Sequence, residues 1–236
     1  MFSFHDQDVL VVGGSSGIGL ATARAFAAAG TRVTIASRSP GKLDAAVKDI
    51  GHDARAVVLD TADPVAVEAL FSAHTWHHVV VSAAQTPSGP VRQLALDDAY
   101  AAMESKFWGA YRVARAARIH DGGSLTLVSG FLSVRPSGGA VLQGAINAAL
   151  ESLVRGMALE FSPVRVNAVS PGMIRTPLWH GMDEGKRDAM FAAVADKVPA
   201  KRVGEAEDVA NAILYAAATP FTTGSTILVD GGGAIA

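Results

Sequence analysis

Three glycines near the start of the chain, Gly14, Gly17 and Gly19, have the spacing of a loop that binds phosphate. An apolar run precedes them, and an alanine-rich stretch with helical spacing follows. Glycine lets the backbone turn sharply and approach a ligand without a Cβ atom in the way. The first N–H groups of the next helix, around Ser16 and Ile18, point toward the same place and favour a phosphate group. This pattern predicts a dinucleotide site.

The residues that end the second predicted strand select between two nicotinamide cofactors. In dinucleotide-binding folds an acidic residue at this place binds the ribose 2′-hydroxyl of NAD. Ser37 and Arg38 stand there instead, and a hydroxyl with a guanidinium group suits a 2′-phosphate. We therefore predict NADP(H) rather than NAD(H), against the alternative that Arg38 is an ordinary surface arginine. Further cofactor contacts are expected after the third and fourth strands, at Asp60, Thr61, Ser82, Ala83 and Ala84, with the alternative that Asp60 caps the turn before Pro64.

Apolar runs alternate with helical patterns along the chain, which is typical of a parallel sheet covered by helices on both faces. Strands are predicted at 8–12, 32–36, 54–59, 78–82, 124–128, 164–169 and 226–229. Helices are predicted at 17–29, 40–50, 64–73, 96–118, 142–161 and 207–217. We expect an α/β fold with a doubly wound parallel sheet of Rossmann type, forming a single NAD(P)-binding domain over residues 1–236.

The composition narrows the function classes. The chain has 236 residues, half of them apolar, with a net charge of -2 and no cysteine. No basic surface is expected to attract nucleic acid or an anionic membrane, and a disulfide or cysteine nucleophile is excluded. Without a signal sequence or a membrane span of roughly 20 apolar residues, we expect a soluble cytoplasmic protein. His74, His77 and His78 have no matching acidic or cysteine partner, so we predict no metal site.

Three later segments, 165–172, 202–210 and 223–232, carry further motifs in order. With the glycine turn, they make the chain resemble the short-chain dehydrogenase/reductase family over nearly its whole length. The resemblance implies that Pro171 and Gly172 lie against the cofactor and that Ile174 and Thr176 hold the nicotinamide amide. It also implies hydride transfer involving a small-molecule substrate. A homodimer or homotetramer through the two long central helices is implied as well.

The residues that perform the chemistry of that family are replaced in this chain. The family uses a Tyr-x-x-x-Lys pair, a serine earlier in the chain and an asparagine on the preceding long helix. Aligned on 148–150, this chain has Gln143, Asn147, Gly130 and Lys106 at those places. Glutamine donates a hydrogen bond but transfers no proton near neutral pH. Because general acid catalysis contributes about 10²–10⁴-fold, ordinary ketone reduction should be weak unless another acid acts.

Other residues are candidates for the missing roles. Lys106 either projects its ammonium toward the vacated lysine position or is a surface lysine. His180 either supplies a proton from the segment that covers the substrate in relatives or is an exposed loop histidine. Ser129 and Gln143 are candidates for orienting the substrate, and Asn147 for binding a ribose hydroxyl. Arg135 either binds an anionic substrate or is a solvated loop charge.

Three functions are compatible with this sequence. We favour an NADPH-dependent oxidoreductase acting on a small carbonyl, imine or activated C=C substrate, because the cofactor motifs and the covering segment with Trp179 and Met182 are retained. The second is an NADP(H)-binding regulatory or scaffold protein without turnover. The third is a non-redox isomerase or cyclase that uses the same pocket.

Overall fold

Nine strands are found in the computed structural model, which describes residues 4–51 and 53–236. They are β1 (Asp8–Val12), β2 (Arg32–Ser37), β3 (Arg55–Val58), β4 (Trp76–Val81), β5 (Ile119–Val128), β6 (Arg165–Pro171), β7 (Ile174–Arg175), β8 (Gly204–Glu205) and β9 (Thr226–Val229). Seven of them form a parallel sheet in the order β3-β2-β1-β4-β5-β6-β9. The strands β7 and β8 pair separately. The order reverses between β1 and β4, where open α/β sheets bind ligands.

Helices cover both faces of this sheet. They are α1 (Gly17–Ala28), α2 (Pro40–Ile50), α3 (Pro64–Ala73), α4 (Leu96–Ala102), α5 (Gly109–Ala116), α6 (Val141–Glu160), α7 (Glu184–Lys197) and α8 (Ala206–Ala218). Between α4 and α5 lies a π-helical segment, Met103–Trp108, and 3₁₀ turns occupy Phe131–Ser133 and Pro177–Trp179. Among the residues described, no helix combines the length and the apolar character needed to cross a membrane.

The sheet is apolar on both faces because it separates two cores. Val9, Leu10 and Val11 are all fully buried, although alternate residues of a strand point to opposite faces. Leu10 packs in the core beneath α5 and α6, and Val9 and Val11 pack in the core beneath α1 and α8. The predicted α/β fold with a doubly wound parallel sheet in one domain is therefore confirmed.

One prediction about a helix was wrong in detail, and one helix was not predicted. The single helix expected at 96–118 is divided by the π-helical segment, whose wider turns change the direction in which residues face. Lys106, within that segment, donates a hydrogen bond to Asn147 on α6, and Gly109 lies so close to Thr61 that a Cβ atom would be 2.7 Å from its Oγ1. The helix α7 was not predicted, because Phe191 is its one buried residue and its apolar periodicity is correspondingly weak.

Candidate functional site

The glycine turn forms a backbone cradle at the carboxyl ends of β1 and β4. Gly13 has a φ of +87°, and a Cβ atom there would lie 2.5 Å from the backbone nitrogen of Ala83. A Cβ at Gly14 would lie 2.6 Å from Ile35, and one at Gly19 would collide with the carbonyl oxygen of Gly13. Side chains are therefore excluded where the turn, β4 and the start of α1 meet, which leaves backbone groups for a ligand.

The amino end of α1 beside this cradle is open to an anion. Its N-cap residue, Ser16, makes no side-chain hydrogen bond to the helix, and the first turn contains no acidic residue. The N–H groups of the first turn and the positive end of the helix dipole therefore have no competing partner from a cap. The Cβ atom of Thr176 lies 3.4 Å from the position that a Cβ atom would occupy at Gly17. The structure thus brings Gly17 and Thr176 together.

The end of β2 carries an unpaired hydroxyl beside an exposed guanidinium group. The Oγ atom of Ser37 is buried without a hydrogen-bond partner, and Arg38 donates from Nη2 to Oε1 of Gln85 at 2.7 Å. An unpaired buried hydroxyl and a guanidinium group with an exchangeable partner fit a dinucleotide phosphorylated on its adenosine ribose. Asp60 accepts a hydrogen bond from the backbone N–H of Ala62 at 3.0 Å, so its carboxylate caps that turn.

Lys106 brings a cation to the carboxyl end of β5. Its Nζ donates to the backbone carbonyl of Ser129 and to Oδ1 of Asn147, both at 2.7 Å. Burial lowers the pKa of Lys106 to about 8, and the carboxylate of Glu151 opposes that shift. The structure therefore joins Lys106, Ser129 and Asn147, and the ammonium of Lys106 lies against the side chain that replaces the family's lysine.

Gly130 makes room for the side chain of Asn147. A Cβ atom at residue 130 would lie 2.7 Å from Nδ2 of Asn147, so a serine there would require the amide to move. Asn147 is 4% exposed, and its amide is held at one end by Lys106. The replacements at residues 130 and 147 are therefore coupled by packing, and those at residues 106 and 147 by a hydrogen bond from an ammonium group.

Glu151 is a buried carboxylate that the sequence analysis missed. It is 7% exposed and accepts hydrogen bonds from the hydroxyls of Ser129, at 2.9 Å, and Ser133, at 2.7 Å. The signal was available, because Gln143, Asn147 and Glu151 recur every fourth residue and therefore share one face of α6. The hydroxyl of Ser129 is consequently occupied within the protein, and its expected contact with a substrate stays a prediction.

Gln143 is used to hold a loop. Its Nε2 donates to the carbonyl oxygens of Thr86, at 3.1 Å, and Pro87, whereas its Oε1 is sealed from solvent without a partner. Both amide protons are thereby directed to the chain that follows β4. Ser82, at the end of β4, donates to the carbonyl of Val12 at 3.2 Å.

The structure does not join His180 to the cluster around Lys106. His180 is exposed and lines a cavity of about 450 Å³ that also touches Gly17 and Thr176. Within the described ranges, none of its hydrogen bonds reaches Lys106 or Asn147. Arg135 is exposed in the loop before α6.

The histidines of β4 have structural partners. His78 is buried between Ser124 and Gln7, each 2.8 Å from a ring nitrogen, and burial lowers its pKa to about 3. It is therefore neutral at physiological pH. Across residues 4–51 and 53–236, no group of three or more histidine, aspartate and glutamate side chains is arranged to hold a metal ion.

Comparison with known proteins gives matches over almost the whole chain. A family model described as Enoyl-(Acyl carrier protein) reductase matches residues 12–233. A short-chain dehydrogenase/reductase of Stachybotrys chlorohalonatus is 32% identical over 253 residues, covering 98% of this chain and 98% of the relative.

Two solved structures are similar in fold and sequence. One, a small-chain dehydrogenase in complex with NADPH, has a TM-score of 0.85 and 33% identity, covering 98% of this chain and 99% of the other. The second is a short-chain oxidoreductase of Pseudomonas aeruginosa PAO1 with NADPH bound and an atypical catalytic center. Its TM-score is 0.92 at 28% identity, covering 98% of both chains.

Proposed function

The chain belongs to the short-chain dehydrogenase/reductase family, and we propose that it is an NADP(H)-dependent oxidoreductase with a rebuilt catalytic site. It would transfer hydride to or from a small carbonyl, imine or activated C=C substrate. The observation that carries this proposal is the ammonium of Lys106, held 2.7 Å from the side chain of Asn147 at the carboxyl end of β5, the strand next to β4.

The residues present fit the cofactor. The cradle and the uncapped start of α1, at Gly14, Ser16, Gly17, Ile18 and Gly19, would hold the pyrophosphate. Ser37 and Arg38 would bind the 2′-phosphate, since one has an unpaired hydroxyl and the other an exposed guanidinium group. The NADPH bound by two similar solved proteins supports this choice. The remaining contacts would come from Asp60, Thr61, Ser82, Ala83, Ala84, Pro171, Gly172, Ile174 and Thr176.

When bound, the nicotinamide supplies or accepts the hydride. The contribution of the chain is a cation that reaches the site from the π-helical segment. Lys106 is fixed by two oxygen atoms and stabilises negative charge that develops on a substrate in a site shielded from water. Gln143 supplies no proton and holds the loop at Thr86 and Pro87 in place.

A second function, cofactor binding without turnover, is favoured by one observation. Gln143 ties the chain after β4 to α6, and its Oε1 is sealed from solvent. Gln143 is 9% exposed. A regulatory protein that senses NADPH would have less need of an open substrate pocket.

The cofactor is tested by calorimetric titration of the wild type, Arg38→Ala and the control Arg155→Ala with NADPH and NADH. Loss of a charge-assisted contact to the 2′-phosphate should weaken NADPH binding about 10-fold or more and leave NADH binding unchanged. Arg155 is exposed on α6, so its replacement should change neither. Equal affinity of the wild type for NADH and NADPH would contradict the choice of NADP(H).

Turnover is tested with ketones, imines and conjugated carbonyl compounds under saturating NADPH. Consumption of NADPH with any of these classes supports the oxidoreductase. Tight NADPH binding with no turnover in any class would favour the second function.

A further inference from the structure

The side-chain amide of Asn147 has a fixed orientation. Lys106 can only donate hydrogen bonds, so the atom that faces its Nζ at 2.7 Å is the amide oxygen, Oδ1. The nitrogen, Nδ2, must therefore lie on the opposite side of the amide. Asn147 is 4% exposed, so this orientation is held within a packed environment.

The nitrogen of this amide is an unused donor. Over the described residues, Lys106 is the one hydrogen-bond partner of the Asn147 side chain. Nδ2 is directed toward Gly130, which has no side chain to meet it. Unlike Oε1 of Gln143, it is not among the unpaired side-chain atoms that are sealed from solvent. Nδ2 is therefore an unpaired donor that keeps some contact with solvent on a side chain that is otherwise buried.

The charges around Asn147 favour an oxygen ligand. The ammonium of Lys106 binds the amide oxygen and so polarises the N–H bonds at the other end of the same amide. The nearby carboxylate, Glu151, is engaged by the hydroxyls of Ser129 and Ser133. A preorganised donor backed by a cation is the arrangement that stabilises negative charge on oxygen.

We propose that Nδ2 of Asn147 is a catalytic hydrogen-bond donor that holds the carbonyl oxygen of an α,β-unsaturated carbonyl substrate. The proposal rests on the proposed oxidoreductase function and selects one of its substrate classes. A cationic imine would gain nothing from a donor backed by an ammonium group. A carbonyl oxygen gains most from it when that oxygen becomes negative.

We choose a conjugated carbonyl as the substrate because residue 143 is not an acid that could protonate the product. Hydride from NADPH, which becomes NADP⁺, forms a bond to the β-carbon, and the C=C electron pair moves to give an enolate. The amide N–H of Asn147 stabilises the enolate oxygen, and the α-carbon then takes a proton from water. A simple ketone would instead give an alkoxide, a much stronger base that needs a proton at once.

The decisive variant is Asn147→Asp, which keeps an oxygen for Lys106 and replaces the N–H donor with a second oxygen. Asn211→Asp, at an exposed residue of α8, is the matched control. The first readout is binding of 4-nitrophenol, whose phenolate imitates the enolate oxygen and absorbs visible light. Wild type and Asn211→Asp should stabilise the phenolate, and Asn147→Asp should bind it at least about 10-fold more weakly.

The second readout is reduction of a conjugated enone with NADPH, for which Asn147→Asp should lose about 10²–10³-fold in kcat/KM. If Asn147→Asp fails to fold, as judged by circular dichroism, Asn147→Ala decides, because it removes the N–H donor and leaves Lys106 in place. Absence of phenolate binding by the wild type, or equal binding by the folded variants, would overturn the proposal.

These readouts separate the two proposals. Phenolate binding that depends on Asn147, in a protein that does not bind NADPH, would support the oxygen site and refute the oxidoreductase. NADPH-dependent reduction of imines alone, unchanged in Asn147→Asp, would support the oxidoreductase and refute the role of Asn147.

Discussion

Lys106 carries its charge in a place from which water is largely excluded, and its protonation is expected to control activity. Its pKa is lowered by burial to about 8. The protonated form stabilises negative charge, so kcat/KM should fall as the pH rises through about 8. Lys106→Met should reduce kcat/KM about 10²-fold at neutral pH and remove this alkaline decline. A pH profile of both proteins checks this, and an unchanged decline in the variant would assign it to another group.

Glu151 is expected to tune that protonation. Glu151 raises the pKa of Lys106. Other charged groups on the elements packed around Lys106 form ion pairs elsewhere, namely Glu104 with Arg112 and Arg115 with Glu68. On α4, Asp97 and Asp98 are exposed.

Replacement Glu151→Gln removes a charge that raises the pKa of Lys106. The alkaline decline should therefore move to lower pH. The control is Glu160→Gln, at the exposed end of the same helix. A profile that keeps its position, despite normal folding, would show that Glu151 acts on packing alone.

Some residues of this site were predictable from the sequence, and others were not. The glycine turn was predictable because a positive φ, as at Gly17, and a close backbone approach, as at Gly19, admit few other residues. The position of Lys106 followed from an alignment, but apolar periodicity reveals neither the π-helical segment that carries it nor its hydrogen bond to Asn147. Glu151 was missed although its spacing from Asn147 places both residues on one face of α6, because that face is otherwise largely apolar and its acid matches no known motif.

At the scale of elements, the end of β5 packs closely against α6, where Gly130 meets the side chain of Asn147. The variant Gly130→Ser places a Cβ atom 2.7 Å from Nδ2 of Asn147. We expect a loss of about 1–3 kcal/mol in the free energy of unfolding, because the packed amide must shift. When Asn147 is already replaced by alanine, Gly130→Ser should lower the free energy of unfolding much less. Chemical denaturation of the four proteins gives the coupling, and additive losses would contradict the steric argument.

The contact between the glycine turn and α1 is a second place where elements meet closely. A Cβ atom in Gly19→Ala would collide with the carbonyl of Gly13 and lie 2.6 Å from Oγ of Ser82. We expect NADPH affinity to fall at least about 10-fold, since the cradle must open. The control, Gly156→Ala, has nothing within 4 Å of the new atom and should stabilise α6 by about 0.5–1 kcal/mol. Calorimetric titration and thermal denaturation measure both effects.

At the scale of the whole molecule, the order of the strands explains why distant segments share one site. The sheet places β1 beside β4 and β5 beside β6, so their carboxyl ends bring together residues from the glycine turn and from the loop after β5. The alternation of strands and helices made this arrangement predictable, because parallel strands require helical crossovers of one hand. The small pair β7 and β8 was not predictable, since two residues carry no usable pattern.

The outer surface of the broken long helix leads to the last prediction. Tyr100, Trp108 and Tyr111 are 68%, 44% and 40% exposed on this one helical unit. Large aromatic side chains grouped on a surface are typical of protein interfaces. We therefore expect a homodimer or homotetramer that uses this helix, so light scattering should give a multiple of the chain mass of 24.3 kDa. Trp108→Glu should reduce that mass, because a buried charge would oppose assembly. Val58→Lys, 59% exposed on the edge strand β3, should leave it unchanged. A wild-type protein with the mass of one chain would show that this surface has another use.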